Sequence, residues 1–152
     1  VDEHDDIIQT IDDGHHLHDS KYVLVDFTMR QKDISEVIYE LKHYGYKVIV
    51  AHPERIHYLN YDELRSLKAE GAYFQVSSSH LIHKRHKRAH RIANKLLKHD
   101  LIDIVSSDAH NIETIKTMKT AFDYVVKKKG LEDANYMFKD FPRSILMKKR
   151  SN

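Results

Sequence analysis

The sequence predicts an α/β fold in which parallel strands alternate with helices. Short runs rich in β-branched residues alternate along the chain with segments whose apolar residues repeat at helical spacing. The strand-like runs are almost continuously apolar, which is typical of strands covered by helices on both faces. With only 4 glycines and 2 prolines in 152 residues, most of the chain is expected to form regular structure.

Four segments are predicted as strands because each is a short apolar run bounded by polar or turn-forming residues. They are residues 21–27, 47–51, 72–77 and 101–105. Pro53 is expected to prevent a helix from beginning directly after the second of them. Four strands are too few to close a β/α barrel, which takes roughly 250 residues. The chain is therefore either a small open sheet or the C-terminal part of a barrel.

Helices are predicted between and after the strands. Asp33 is expected to cap a helix over 34–44 that ends at Gly45. Asp62 is expected to cap a second helix that ends before Gly71. The remaining predicted helices cover residues 84–99, 112–129 and 132–139.

The composition excludes several classes of protein. The chain has no cysteine, so disulfides and thiolate metal sites are ruled out. No apolar run approaches the ~20 residues that span a bilayer, and the acidic start of the chain is unlike a signal peptide. We therefore expect a cytoplasmic protein without membrane insertion. Its predicted parts are an acidic, His-rich segment (1–20), one β/α domain (21–147) and a basic tail (148–152).

Polar side chains follow every predicted strand. In chain order they are Asp26, then His52 and Arg55, then residues 77–80, then Asp108 and His110. The carboxyl ends of parallel strands meet at one edge of a sheet, where ligands and catalytic groups gather. Imidazole and carboxylate groups suit Zn, Mn or Fe, and an oxygen-rich mixture favours Mn or Fe. Such a metal would generate a nucleophile near neutral pH, and Arg55 could clamp phosphate oxygens in a bidentate manner.

Each of these residues also has a structural interpretation when it is taken alone. Asp108 could cap a loop, His52 could be a turn residue, and Asp26 could be an acid paired with a neighbouring base. Recurrence at four successive strand ends favours a site over these readings.

A basic segment, residues 80–91, holds five Lys or Arg and four His. It could bind nucleic acid or an acidic partner, and His83, His86 and His90 are expected on one helical face. No aromatic residues are interleaved for base stacking, so nucleic acid is not the expected partner. A solvated helix face is the simpler interpretation.

Three phrases of the sequence together resemble a known family. They are VAHPER at 50–55, QVSSSH at 75–80 and SDAHN at 107–111, and the similarity runs from about residue 16 to residue 147. These phrases are similar to those of the bacterial capsule- and exopolysaccharide-locus tyrosine-protein phosphatases of the PHP (polymerase and histidinol phosphatase) superfamily. The resemblance implies the C-terminal part of a distorted, TIM-like β/α barrel. It also implies divalent metals, usually manganese, and hydrolysis of phosphotyrosine on a capsule tyrosine kinase; iron and zinc stay possible because of the ligand types.

The resemblance also implies roles for individual residues. His52, Asp108 and His110 match metal ligands of the family, and Asp26 stands where the family carries a bridging glutamate. Arg55 matches an arginine that holds the substrate phosphate.

The chain departs from the family pattern in several respects, among them the shorter Asp26 in place of a glutamate and Phe141 in place of an asparagine before Pro142. The family's early ligands, a His-x-His strand followed by an Asp, a His and a Glu, have no counterpart here. Where a second arginine often follows the DAHN motif, only Lys116 is available as a substrate-binding cation. We therefore expect a weak one- or two-metal site and little phosphatase turnover from the chain alone.

Further expectations and alternatives follow from the sequence. A barrel without its first strands exposes strand edges, which predicts self-association through residues 22–27 or their coverage by residues 1–20. The alternatives to a tyrosine phosphatase are a PHP-type small-molecule phosphoesterase and a non-catalytic binding module that uses the basic helix 84–91.

Overall fold

Four parallel strands form a single sheet in the computed structural model, which describes residues 20–29, 31, 33–107 and 112–146. Their spatial order in the described sheet follows their order in the chain. The strands are β1 (Tyr22–Asp26), β2 (Lys47–Ala51), β3 (Tyr73–Ser77) and β4 (Ile104–Ser106). The predicted α/β architecture with parallel strands is confirmed. The predicted end segments, 1–20 and 148–152, lie outside the described residues except for Ser20.

Helices follow each strand, as predicted. They are α1 (Ile34–His43), α2 (Tyr61–Ala69), α3 (Ser78–Ile82), α4 (Lys87–Lys98), α5 (Ile112–Lys129), α6 (Leu131–Asn135) and α7 (Phe141–Leu146). A 3₁₀ turn (Pro53–Arg55) follows β2, and a π-helical turn (Tyr136–Asp140) joins α6 to α7. No helix in the described part of the chain is long and apolar enough to cross a membrane.

The sheet is covered on both faces, as its apolar strands predict. Val48 and Val50 of β2 belong to the main core, to which α1, α2, α4 and α5 also contribute buried residues. Ile49 points to the opposite face and packs in a smaller cluster with Phe141 and Ile145 of α7. β1 and β4 are the outer strands of the described sheet. Self-association through such an outer strand stays a prediction.

Several predicted boundaries were wrong. The fourth strand begins at Ile104 and not at residue 101, because the Leu101 amide donates to the Leu96 carbonyl (3.0 Å) and completes the end of α4. A three-residue 3₁₀ turn begins at Pro53, one residue after β2, because proline lacks the N–H that the first helical position leaves unpaired, and the next α-helix begins only at Tyr61. The final helix, predicted over 132–139, is instead three joined helical segments that continue to Leu146.

The basic helix begins later than predicted. It starts at Lys87, and the unpredicted helix α3 precedes it, with a short connector at residues 83–86. His83 and His86 therefore lie outside the helix that carries His90, so the prediction of one shared helical face was wrong.

The start of α2 was also predicted at the wrong residue. Asn60, and not Asp62, is the N-cap: its side chain accepts from the Glu63 amide (2.8 Å), and the Glu63 carboxylate accepts from the Asn60 amide (3.4 Å). This reciprocal capping box satisfies two backbone donors at the helix start.

Removing this cap is expected to destabilise the protein measurably. Asn60→Ala should lower the free energy of unfolding by about 1 kcal/mol, because the helix start loses its side-chain acceptor. Urea denaturation measures the change, and Asp62→Ala, which leaves the cap intact, is the matched control. An equal loss in both variants would contradict the assignment of the cap to Asn60.

Candidate active site

The carboxyl edge of the sheet brings Asp26 and His52 close together. Asp26 is the last residue of β1 and pairs with Ala51, so His52 follows directly on the neighbouring strand. The His52 amide donates to the Gln75 carbonyl of β3 (2.8 Å), which fixes the backbone at this point. The ends of β1 and β2 therefore lie side by side at one edge of the sheet, as the sequence predicts.

The backbone of His52 is in the left-handed conformation, with φ of 48° and ψ of 55°. Few residues other than glycine adopt this region, and such strained positions concentrate at functional sites. Nδ1 of His52 lies 3.0 Å from Ser77 Oγ at the end of β3. A hydrogen bond to one ring nitrogen fixes the orientation of the imidazole, as supporting residues do in metal sites.

The carboxylate of Asp26 is held in its ionised form. Burial alone would raise the pKa of this carboxyl group. Hydrogen bonds from Thr28, from its amide at 2.8 Å and its hydroxyl at 2.5 Å, lower the pKa again. The nearby charges of His52 and Arg55 act in the same direction as Thr28, so the pKa of Asp26 lies below its ordinary value. The carboxylate is therefore an anionic oxygen donor at neutral pH.

Glu54 is a buried carboxylate that joins the β2 end to the β3 end. The whole residue is 1% exposed. One oxygen, Oε1, accepts from the Ser77 amide (2.9 Å) and lies 2.8 Å from His80 Nδ1. Because an ionised carboxylate only accepts, His80 Nδ1 is the donor in this pair. Oε2 has no hydrogen-bond partner within the described part of the chain.

Sequence reasoning named residues 77–80 at this edge but missed the role of Glu54. Glu54 stands between His52 and Arg55, in a phrase that was interpreted as a loop with one ligand and one phosphate clamp. The sequence feature that could have pointed to Glu54 is a carboxylate directly before Arg55 in a short segment after a strand. Its partners are 23 and 26 residues away, however, and local patterns do not show them.

Arg55 opens onto a cavity of about 900 Å³ beside the sheet edge. The cavity lies between the 3₁₀ turn, the α3–α4 region and the start of α5, from which Glu113 and Thr117 contribute to its lining. Lys116 is exposed on the same helix, between those two residues in sequence. The predicted ligands Asp108 and His110 lie outside the described residues.

The residues of this edge fit a divalent metal in part. His52 and Asp26 supply one nitrogen and one anionic oxygen donor, which is the chemistry that Mn, Fe and Zn accept. Within the described residues no group of three or more His, Cys, Asp or Glu side chains could hold a metal ion.

The parallel sheet, its covering helices and the polar groups at its carboxyl edge define a β/α protein of the PHP type. The chain belongs to the CpsB/CapC family of capsular polysaccharide synthesis, whose family model matches residues 1–147. The resemblance inferred from the sequence motifs is therefore confirmed.

Individual relatives agree with this assignment. The chain is 32% identical over 141 residues to the tyrosine-protein phosphatase CpsB of Streptococcus pneumoniae, covering 86% of this chain and 58% of that protein. It is 31% identical over 125 residues to the tyrosine-protein phosphatase YwqE of Bacillus subtilis, covering 80% and 49%. The chain thus spans about half the length of the curated relatives it matches.

Crystal structures of YwqE and CpsB, described as unique metal-dependent tyrosine phosphatases, provide the structural comparison. One of these chains matches with a TM-score of 0.73 and 29% sequence identity. The match covers 85% of the present chain and 55% of the solved one.

Proposed function

We propose that this chain carries the phosphate-binding residue and part of the metal site of a metal-dependent protein-tyrosine phosphatase of capsule synthesis. The observation that supports this most directly is geometric: Asp26 pairs with Ala51 at the end of β1, so His52 follows beside it, and the Arg55 amide donates to the His52 carbonyl (2.9 Å). The charges of His52 and Arg55 also lower the pKa of the Asp26 carboxyl group. Names of the matched relatives supply the reaction class. A cytoplasmic location, manganese as the metal, and a capsule tyrosine kinase as the phosphorylated partner are the finer parts of the proposal.

The metal would be held by His52 and Asp26 together with Asp108 and His110. When bound, it would supply a water activated for attack at phosphorus and neutralise phosphate charge. Ser77 would keep the His52 ring in the orientation needed for coordination through Nε2, because Nδ1 already faces the Ser77 hydroxyl.

Arg55 would bind the phosphoryl oxygens. A guanidinium presents a planar pair of donors that matches phosphate geometry and keeps its charge at all physiological pH values. Lys116 would add a second positive charge, as a point charge without that fork.

Binding of a phosphotyrosine peptide in the presence of Mn²⁺ tests the role of Arg55. We expect Arg55→Ala to weaken this binding roughly tenfold, which corresponds to about 1.5 kcal/mol for a hydrogen bond to a charged group. Titration calorimetry with the peptide measures it, and Arg65→Ala on the exposed face of α2 is the matched control. Equal affinities of the wild type and Arg55→Ala would overturn the assignment.

Two further measurements test the metal site and the alternative of a small-molecule phosphoesterase. Mn²⁺ titration of the wild type and His52→Ala tests the metal site, and unchanged Mn²⁺ affinity in the variant would contradict it. The same binding assay with small phosphorylated metabolites tests the alternative of a small-molecule phosphoesterase, which tighter binding of those compounds would favour.

A further inference from the structure

A basic connector lies beside the candidate site and has no role in the proposed chemistry. Residues 83–86 join α3 to α4, and every one of them lines the cavity next to Arg55. The connector contributes Lys84 and Arg85 to the lining, and Arg88 in the first turn of α4 adds a third cation. Its first and last residues, His83 and His86, face the same cavity.

Cationic side chains outnumber carboxylates in the described lining of the cavity. Four cationic side chains contribute to it, namely Arg55, Lys84, Arg85 and Arg88. Against these, the described lining has two carboxylates, Glu54 and Glu113. Glu54 is buried and its Oε1 contacts His80 Nδ1, so its carboxylate faces the protein interior, while Glu113 is exposed. A concave surface of this kind concentrates anions.

The connector is held in place at both ends. The His83 amide donates to the Ser79 carbonyl (2.8 Å), and the His90 amide donates to the His86 carbonyl (2.8 Å). Arg88 donates to the Leu59 carbonyl (2.7 Å), which ties the start of α4 to the loop after the 3₁₀ turn. The basic side chains are thus attached to a positioned backbone next to Arg55.

This concentration of charge opposes the stability of α4. A helix N-terminus carries partial positive charge and favours acidic side chains, whereas the first turn of α4 contains no acidic residue and includes Arg88, which lines the cavity. Cations at this position cost stability, and an anion bound in the cavity would offset that cost.

From these observations we infer that the cavity is a second anion-binding subsite. It binds the carboxylates that flank the phosphotyrosine of an acidic peptide. The inference rests on the proposed function and names its substrate class: Arg55 takes the phosphate, while Lys84 and Arg85 take Asp or Glu side chains beside it. A peptide fits better than a nucleic acid because no Tyr, Phe or Trp is among the described residues that line the cavity. Base stacking would require such side chains.

Two peptides of equal length test the subsite. Both carry phosphonomethyl-phenylalanine, a non-hydrolysable phosphotyrosine analogue, flanked in one case by Asp and Glu and in the other by Ser and Ala. Affinities for the 152-residue protein are measured by fluorescence anisotropy with Mn²⁺ present. We expect the acidic peptide to bind roughly tenfold more tightly at low salt, and the difference to shrink as salt screens the charges.

Two double variants with the same loss of charge provide the control. Lys84→Ala/Arg85→Ala removes lining residues, whereas Lys87→Ala/Arg91→Ala removes cations that do not line the cavity. All four side chains are exposed, so both variants should fold. The first variant should bind the two peptides equally well, and the second should keep the preference of the wild type.

The outcomes separate this inference from the function on which it rests. Equal binding of both peptides by the wild type, still weakened by Arg55→Ala, would overturn the subsite and leave the proposed function standing. No binding of either peptide would overturn both. Displacement of the acidic peptide by a single-stranded oligonucleotide at equal affinity would show a general polyanion surface, and would also overturn the inference.

Discussion

Asp103→Ala is expected to lower the free energy of unfolding by about 3 kcal/mol, near the lower end of what removing one member of a buried ion pair costs. Asp103 lies just before β4, at the edge of the sheet opposite the candidate site, and is 6% exposed. Its carboxylate accepts from the Lys68 ammonium, the Phe74 amide (2.9 Å) and the Tyr136 hydroxyl (2.9 Å). Alanine would leave these donors without their acceptor.

The three partners come from different parts of the fold, which is why the expected effect is large. Lys68 belongs to α2, Phe74 to β3 and Tyr136 to the π-helical turn. Burial raises the pKa of the Tyr136 hydroxyl, and the charge of Asp103 raises it further, so the hydroxyl remains a donor across the physiological range. One carboxylate thus joins a helix, a strand and the C-terminal segment.

Urea denaturation of matched variants isolates this contribution. Asp123→Ala removes an exposed aspartate from α5 and should change the free energy of unfolding by less than about 0.5 kcal/mol. A double-mutant cycle of Asp103→Ala with Lys68→Met gives the coupling energy of the ion pair. A loss below about 1 kcal/mol in Asp103→Ala would show that the carboxylate does not hold these three parts of the fold together.

The sequence predicted the elements whose causes are local. The strand 47–51 and the helix 112–129 have the bounds that were predicted, since hydrophobic patterning and a glycine beside each element determine them. The start of β4 was predicted wrongly because the apolar run from Leu101 gives no sign that the Leu101 amide completes the preceding helix. That bond depends on tertiary position.

In the candidate site too, sequence patterns predicted the residues placed by local features and missed the one whose role depends on tertiary contacts. Asp26, His52 and Arg55 were predicted from their places after strands, because parallel strands bring such positions to one edge. Glu54 was missed because its importance depends on burial and on partners in α3 and β3, which a local pattern does not contain. Asp108 and His110, predicted on the same grounds, lie outside the described residues and stay predictions.

Glu54→Ala is expected to lower the free energy of unfolding by about 3 kcal/mol. The Ser77 amide and His80 Nδ1 both lose their acceptor in a buried environment. Glu54→Gln should cost about 1 kcal/mol, because an amide oxygen can still accept from the Ser77 amide but lacks the charge that strengthens the contact with His80. Glu132→Ala, an exposed glutamate in the first turn of α6, is the control.

The same variants separate a local role in the site from a general role in folding. If Glu54 holds the two strand ends together, hydrogen exchange in Glu54→Ala should quicken first at residues 52–56 and 77–82 and leave β4 protected. The Arg55-dependent affinity for a phosphotyrosine peptide should fall with it, because the turn that carries Arg55 loses its anchor. Uniform acceleration over the whole sheet would contradict the local role. Unchanged stability would remove Glu54 from the architecture of the site altogether.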